Sequence, residues 1–489
     1  MRVDQVFART ARRQPHDLAW VMADGTHACG FAEADRRVSR AAASLQRRLP
    51  ERAAVALLLS NHTDFLLAYL AVSRAGMVSV LVNVRLGAPE VERILQDSGA
   101  ALALTQPDLE ALLPGDFARL PVAALLEGAE ESPREAAADE NDLCDVLYTS
   151  GTTGQPKGVE FSHRAALAAG WGIVLDAAIA PRDVVMQLMP LTHSAPLHLM
   201  ALGSFLAGAT QVVGSFDPAT PRAFLEVAAG HRVTHAFAAP VAYLLAAAQD
   251  GVDLDLSAVK AWIYGGAGIS AAQVRGLRAR LGGRWMGVYG LTEAGPNGTM
   301  LHDADHAHKA GSIGWRAMLN AELRLIDDAG AEVPVGEVGE IALRTESTMR
   351  GYRGRPDLTR EVLDARGWLR TGDLARRDAD GYLWIVDRKK DLIISGGVNV
   401  YPRELEDLLL THPQVADAAV VGVPHPEWGE SVCAVIVPRG EAPSLEALRS
   451  HLGAHLAAYK LPRLLRVVQA LPRNASGKVL KARLRESVA

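Results

Sequence analysis

The chain has 489 residues, more than one hydrophobic core organises, so two or three domains are expected. Its 49% hydrophobic and 22% charged residues describe an ordinary globular protein, and a formal net charge of −5 argues against general affinity for nucleic acid or anionic membrane. The cysteines, Cys29, Cys144 and Cys433, are too scattered for a metal site or a disulfide framework and fit a reducing, cytoplasmic setting.

The N-terminal stretch Met1 to Arg9 carries charges throughout and has no apolar signal-peptide run. Helical apolar spacing runs through Val3 to Arg13 and Phe31 to Leu49. Ala53 to Leu59, Val78 to Val82 and Ala100 to Thr105 read as buried strands, with a helix over Phe65 to Ala75 announced by Ser60-Asn61-His62-Thr63-Asp64. Strands alternating with helices at this spacing imply a mostly parallel sheet covered on both faces. Residues 107–141 are acidic, Ala-rich and Pro-punctuated and read as a surface connection. The alternation resumes over 182–290, with a helix over Pro196 to Leu206; Leu191 to Gly214 is too interrupted by His, Pro and Gly to cross a bilayer. From 311 to 386 the strands become short and turn-punctuated, as in a small antiparallel β unit. After Asp387-Arg388-Lys389-Lys390-Asp391 the composition resets. The expected fold is therefore α/β: an N-terminal domain, 1–387, of two doubly wound subdomains plus a small β unit, then a small mobile α+β domain, 388–489.

The densest chemistry lies in Tyr148-Thr149-Ser150-Gly151-Thr152-Thr153-Gly154-Gln155-Pro156-Lys157-Gly158. Glycines and hydroxyls in a loop after a strand turn N–H and O–H donors onto phosphate oxygens, and a lysine adds positive charge. A Walker A loop needs Gly-Lys-Ser/Thr, whereas Lys157 lies between Pro156 and Gly158; an ordinary surface turn is the plain alternative. This stretch resembles the phosphate-binding signature of the adenylate-forming superfamily of acyl- and aryl-CoA synthetases, amino-acid-activating domains and luciferases.

The resemblance extends in order along residues 145–480. It implies that Gly265-Gly266-Ala267-Gly268 lines adenine and the acyl pocket. In Tyr289-Gly290-Leu291-Thr292-Glu293 it implies that Tyr289 stacks on adenine, Thr292 meets the α-phosphate and Glu293 holds Mg²⁺. Asp373 of Thr371-Gly372-Asp373 would take the ribose hydroxyls, with Arg388 adding a contact. Lys390 matches the family's hinge. Ser395, Gly396 and Gly397 resemble the loop that lines the pantetheine tunnel, with Val398 where many relatives have Glu; the part of Arg403 is open. Lys478 resembles the lysine that bridges the substrate carboxylate and the α-phosphate. Met189 to Pro196 matches the segment whose His gates the carboxylate, here His193, although Thr192 replaces the usual aromatic; a core histidine is the alternative. Ala239, Gly265, Gly290 and Leu291 fall on the implied acyl-pocket wall. His302 to His308 has no metal-site context and reads as a solvated loop.

The implied activity is ligation of an uncharged apolar acid, fatty or aromatic, to coenzyme A, using ATP and Mg²⁺ and passing through an acyl-adenylate. Two alternatives stand beside it: an adenylating enzyme that loads a carrier protein, and a non-catalytic binding protein on this fold. The segment 189–200 has no acidic residue for a substrate ammonium, which disfavours amino acids. A degenerate copy would have lost Lys157, Glu293 or Lys478, and all are present. No nucleic-acid partner is expected, and a homodimer is left open.

Overall fold

The structure, a computed structural model, describes residues 1–127, 132–149, 156–249, 254–473 and 479–488. The chain divides into two compact units, Met1–Leu323 with Leu343–Leu369, and Arg324–Ala342 with Arg370–Ala489.

The first unit contains two mostly parallel sheets. In the seven-stranded sheet, Leu143–Thr149, Val78–Leu81, Ala54–Leu58, Leu102–Thr105 and Arg119–Pro121 lie side by side in parallel. Lys157–Ser162 and Gly351–Tyr352 add antiparallel strands beyond Leu143–Thr149. Ala54–Leu58 is buried along its whole length, as an unbroken apolar run in a parallel sheet should be. The helix Thr63–Arg74 is buried at every position except Asp64, and His62 caps it by accepting from the Asp64 N–H over 3.2 Å. The described part of 107–141 is more ordered than the surface connection expected of it. It contributes the edge strand Arg119–Pro121, and Pro121 is tolerated there because an edge leaves an N–H position unpaired.

The eight-stranded sheet runs Thr299–Leu301, Arg284–Tyr289, Ala261–Gly265, His235–Ala238, Val184–Gln187, Thr210–Val213, Leu18–Met22, Cys29–Gly30. Its first and last strands pair antiparallel and the pairings between them are parallel. Trp262 and Trp285 are register partners in its core, and Tyr243 packs edge-on against both. The buried Tyr243 hydroxyl bonds the carbonyls of Ala236 and Ile263, so its burial leaves no polar atom stranded.

The helix expected over Pro196 to Leu206 is two elements, a π-helix Ala195–Ala201 and an α-helix Leu202–Ala207. Side chains compensate the altered ladder: Ser204 Oγ donates to the Met200 carbonyl over 2.6 Å and Gln211 Nε2 to that of Ala201 over 3.2 Å.

The second unit holds most of a four-stranded sheet, Ala321–Ile326, Val338–Thr345, Leu369–Arg377, Leu383–Arg388. It also holds a five-stranded sheet built on the long antiparallel pair Val415–His425 and Gly429–Pro438. The helix Pro402–Leu409 buries Leu405 and Leu409 beside that sheet, the four-residue spacing of one helical face.

Candidate active site

In the first unit the chemistry-bearing segments gather at the C-terminal ends of parallel strands, where open α/β sheets bind ligands. Met189 to His193 follows Val184–Gln187, Ala239 follows His235–Ala238, Gly266 and Ala267 follow Ala261–Gly265, and Gly290 to Glu293 follow Arg284–Tyr289. The other sheet meets them in kind. Asn61, just past Ala54–Leu58, donates to the carbonyls of Met189 (2.6 Å) and Gly214 (2.9 Å) and accepts from the Leu191 N–H (2.8 Å). Asn83, just past Val78–Leu81, lies 3.4 Å from His193 Nε2. Burial, reinforced by the Arg85 guanidinium, lowers the His193 pKa and favours the neutral ring.

Thr149 and Lys157 are cross-strand partners at the loop end of a hairpin. Ser150, Gly151, Thr152, Thr153 and Gly154 lie outside the described residues. Lys157 Nζ sits 5.0 Å from the centroid of the Tyr352 ring, and the Tyr352 hydroxyl donates to Glu293 Oε1 over 2.9 Å. At the residue before Glu293, Ser194 Oγ donates to Thr292 Oγ1 over 3.3 Å. Lysine, carboxylate, threonine and the His193 segment are thus joined through Tyr352 and Ser194.

Glu293 suits a magnesium ion bound through nucleotide phosphates. Mg²⁺ takes one or two carboxylates plus substrate oxygens, and a carboxylate giving one oxygen to Tyr352 keeps acceptor capacity. Among the described residues no three His, Cys, Asp or Glu side chains form an all-protein metal cage. The stretch His302 to His308 is not the solvated loop expected. His306 is buried in the short helix His306–Lys309, within hydrogen-bond reach of the Tyr264 hydroxyl (3.0 Å) and the His302 carbonyl (2.8 Å).

Gly290 is half-buried, and a Cβ there would run into the Pro296 carbonyl, so no larger residue fits this turn. Leu291 and Ala239 are half-buried; Gly265 is buried, and Gly266 and Ala267 are exposed. Asn297, four residues beyond Glu293, is fully buried. The Ala168 carbonyl accepts from Asn320 Nδ2 (2.7 Å), whose Oδ1 accepts from Asn297 Nδ2 (3.0 Å), which orients both amides.

In the second unit, Asp373 and Arg388 are cross-strand partners joined by a 2.9 Å ion pair. Asp373 is nearly buried, and the Thr371 hydroxyl accepts from its N–H. Lys390 lies in the single 3₁₀ turn Lys389–Asp391; Arg485 donates to its carbonyl (3.4 Å) and to the Asp391 carboxylate (3.2 Å). Lys389 pairs with Asp328 and Glu340. The Arg403 N–H donates to the Asp387 carboxylate over 2.8 Å, and its guanidinium lies 3.8 Å from Asp407.

Strands Ile393–Ser395 and Val398–Val400 form a hairpin whose two turn residues are Gly396 (φ +60°) and Gly397 (φ +78°), the combination a type I′ turn requires. The Gly396 N–H donates to the Trp428 carbonyl, and the Arg463 guanidinium stands 4.2 Å over the half-exposed Trp428 ring. Lys478 lies outside the described residues.

The roles of Asn61, Asn83, Ser194, Tyr352 and Trp428 escape sequence reasoning. Asn61 had a signal, an Asx-rich turn after a fully apolar strand, which a parallel sheet places at its ligand-binding edge. Tyr352 had none, because its place depends on the pairing of Gly351–Tyr352 with Lys157–Ser162 far back in the chain.

The AMP-binding enzyme family matches residues 7–353, and the AMP-binding enzyme C-terminal domain matches residues 404–478. Feruloyl-CoA synthase from Amycolatopsis sp is 38% identical over 98% of this chain and 97% of its own length. The long-chain-fatty-acid–CoA ligase FadD13 of Mycobacterium tuberculosis is 34% identical, over 98% and 93% respectively. Among solved structures, o-succinylbenzoate CoA synthetase (MenE) from Bacillus subtilis, in complex with its acyl-adenylate intermediate, superposes with a TM-score of 0.88 at 28% identity, covering 98% of this chain and 97% of that one.

Proposed function

Because the chain belongs to the AMP-binding enzyme family, it is an ATP-dependent acid–CoA ligase, and we propose that it joins an uncharged aromatic or fatty acid to coenzyme A in two half-reactions at one site. The observation that carries this reading is the chain of contacts from Lys157 through Tyr352 to Glu293 and on through Thr292 to Ser194, beside His193.

In the first half-reaction the acid carboxylate attacks the α-phosphate of ATP; the carboxylate oxygen–phosphorus bond forms as pyrophosphate leaves. Thr149 and Lys157, with Ser150 to Gly154, hold the leaving phosphates. Thr292 donates to the α-phosphate, and Tyr289 and Gly266-Ala267 take the adenine. Asp373 accepts from the ribose hydroxyls, with Arg388 alongside it. Neutral His193 borders the carboxylate without adding a competing charge. Glu293 would hold magnesium, which would supply positive charge to offset that on the phosphates. Lys478 supports the charge that shifts onto the phosphoryl oxygens in the transition state. In the second half-reaction the CoA thiol attacks the acyl carbon, forming the thioester and releasing AMP. The Gly396-Gly397 turn lines the thiol's approach, and Lys390 is the hinge between the two arrangements. The enzyme contributes positioning and electrostatics and forms no covalent intermediate of its own.

The wall residues, Ala239, Gly265, Gly290 and Leu291, offer no charge to an acyl group, which suits aromatic and aliphatic chains. A panel of hydroxycinnamic, benzoic and C8–C18 fatty acids with ATP, Mg²⁺ and CoA tests this, with pyrophosphate and thioester scored separately. Matched release of both with at least one acid is expected. Pyrophosphate without thioester across the panel would favour loading of a carrier protein instead.

A further inference from the structure

Strand Leu143–Thr149, which ends at the phosphate-binding residue Thr149, carries Asp145 four residues earlier on the same face. Asp145 is fully buried, with no Lys or Arg paired to it among the described residues. Both of its contacts converge on one oxygen: the Tyr69 hydroxyl donates to Oδ2 over 2.6 Å and His198 Nε2 lies 3.0 Å from it. His198 is also fully buried, its ring edge-on to Phe161. It stands in the π-helix Ala195–Ala201, the element that continues directly from His193 and Ser194. π-Helical turns are rare and concentrate at functional sites.

A buried polar contact of this kind is a poor device for stability, because well-packed apolar residues of the same volume serve as well or better. It is a good device for location. The segment from Met189 to His198 is held at four places: by Asn61 at its start, by Asn83 at His193, by Ser194 on Thr292, and by His198 on Asp145 at its end. Two of these ties trace to one helix, since Tyr69 lies within Thr63–Arg74 and Asn61 lies just before it.

We propose that Asp145 and His198 are positioning residues for adenylation, whose buried contact fixes the acid-gating segment against the phosphate-binding strand and so aligns the carboxylate with the α-phosphate. This rests on the acid-site reading of His193. The contact matters while two separate reactants must be aligned; once carboxylate and phosphate are joined in the adenylate, the alignment is built into the substrate.

The test uses the full-length enzyme with whichever panel acid it turns over best, ferulic acid being tried first. Adenylate formation is followed in single turnovers, and thioester formation is started separately from the chemically supplied acyl-adenylate and CoA. His198→Leu should slow adenylation by about 10²-fold, the scale of a misplacement remote from the reacting atoms. The KM for MgATP should hold, and the thioester step should stay close to wild type. His198→Gln, which keeps an N–H within reach of Asp145, should recover most of the lost rate. Tyr69→Phe removes one hydroxyl from the same carboxylate and should show the same asymmetry more weakly, which keeps the test usable if His198→Leu does not fold. Equal losses in the two half-reactions, or no recovery in His198→Gln, would overturn the positioning role. A wild-type enzyme that forms no adenylate with any panel acid would overturn the underlying reading instead.

Discussion

The Tyr352 hydroxyl donates to the Glu293 carboxylate over 2.9 Å, and burial together with that carboxylate raises the tyrosine pKa, so the donor stays protonated. Tyr352→Phe keeps the ring beneath Lys157 and removes only the hydrogen bond. A hydrogen bond to a charged group contributes about 1.5–3 kcal/mol, so the variant should lose about 10- to 100-fold in kcat/KM for MgATP. It should also need more magnesium for half-maximal rate. A Mg²⁺ titration of adenylation checks this, and an unchanged curve would remove Tyr352 from the metal site.

Gly396 and Gly397 both have positive φ, but they do not face the same surroundings. A Cβ on Gly396 would stand 2.7 Å from Trp428 Cε3, whereas nothing lies within 4 Å of one on Gly397. Each alanine costs about 1–2 kcal/mol in backbone strain, and only Gly396→Ala must also displace Trp428. We expect Gly396→Ala to slow thioester formation from supplied adenylate well beyond Gly397→Ala, with adenylation spared in both. Equal effects would show that the contact of Gly396 with Trp428 does not shape the thiol's approach.

His163 begins the helix His163–Ala177, is buried, and lies 3.5 Å from the Val3 N–H through Nδ1. Burial pushes its pKa down to about 4, and a charge there would also oppose the positive end of the helix. In the unfolded chain it titrates near the ordinary histidine value of about 6.5. Between these values the unfolded state binds more protons, so this residue's contribution is complete above pH 6.5 and falls as pH drops toward 4. The loss is about 3 kcal/mol at the low end. Urea unfolding at pH 7 and pH 4.5 should therefore show a larger drop for wild type than for His163→Asn. Parallel drops would contradict the assignment.

Lys390 sits in the 3₁₀ turn Lys389–Asp391, its carbonyl accepting from Arg485. Proline there fixes φ and restricts Lys389, while alanine leaves the backbone free. Lys390→Pro should keep adenylate formation and lose thioester formation, and Lys390→Ala should be close to silent in both. Equal damage from the two substitutions would make the charge, not the swivel, the important property.

Much of this was legible in the sequence because the chemistry sits in short local runs. The two parallel sheets follow from apolar runs such as Ala54–Leu58 alternating with helices, and Lys157, Thr292, Glu293, Asp373 and Arg388 stand in contiguous motifs. What stayed hidden depends on distant pairings. Tyr352 reaches Glu293 only because its strand joins Lys157–Ser162, and Asp145 meets His198 only because a segment of the other sheet folds over it. The π-helix was illegible for a further reason: Ala195–Ala201 has ordinary helical composition, and its altered ladder is compensated by Ser204 and by Gln211 from a strand. The edge strand Arg119–Pro121 was masked by the Pro- and acid-rich composition around it, which edges tolerate.

In the proposed scheme one chain first makes an acyl-adenylate and then consumes it with CoA. A rapid-quench single turnover tests this scheme most directly: enzyme in excess over ATP, with Mg²⁺ and the best panel acid, CoA being added only after pyrophosphate release is complete. An adenylate should accumulate in step with pyrophosphate and then decay into an equal amount of thioester. Lys478→Ala should be slowed in the first phase only. Thioester appearing without a preceding adenylate, or an adenylate that persists when CoA is added, would rule out the two-step scheme.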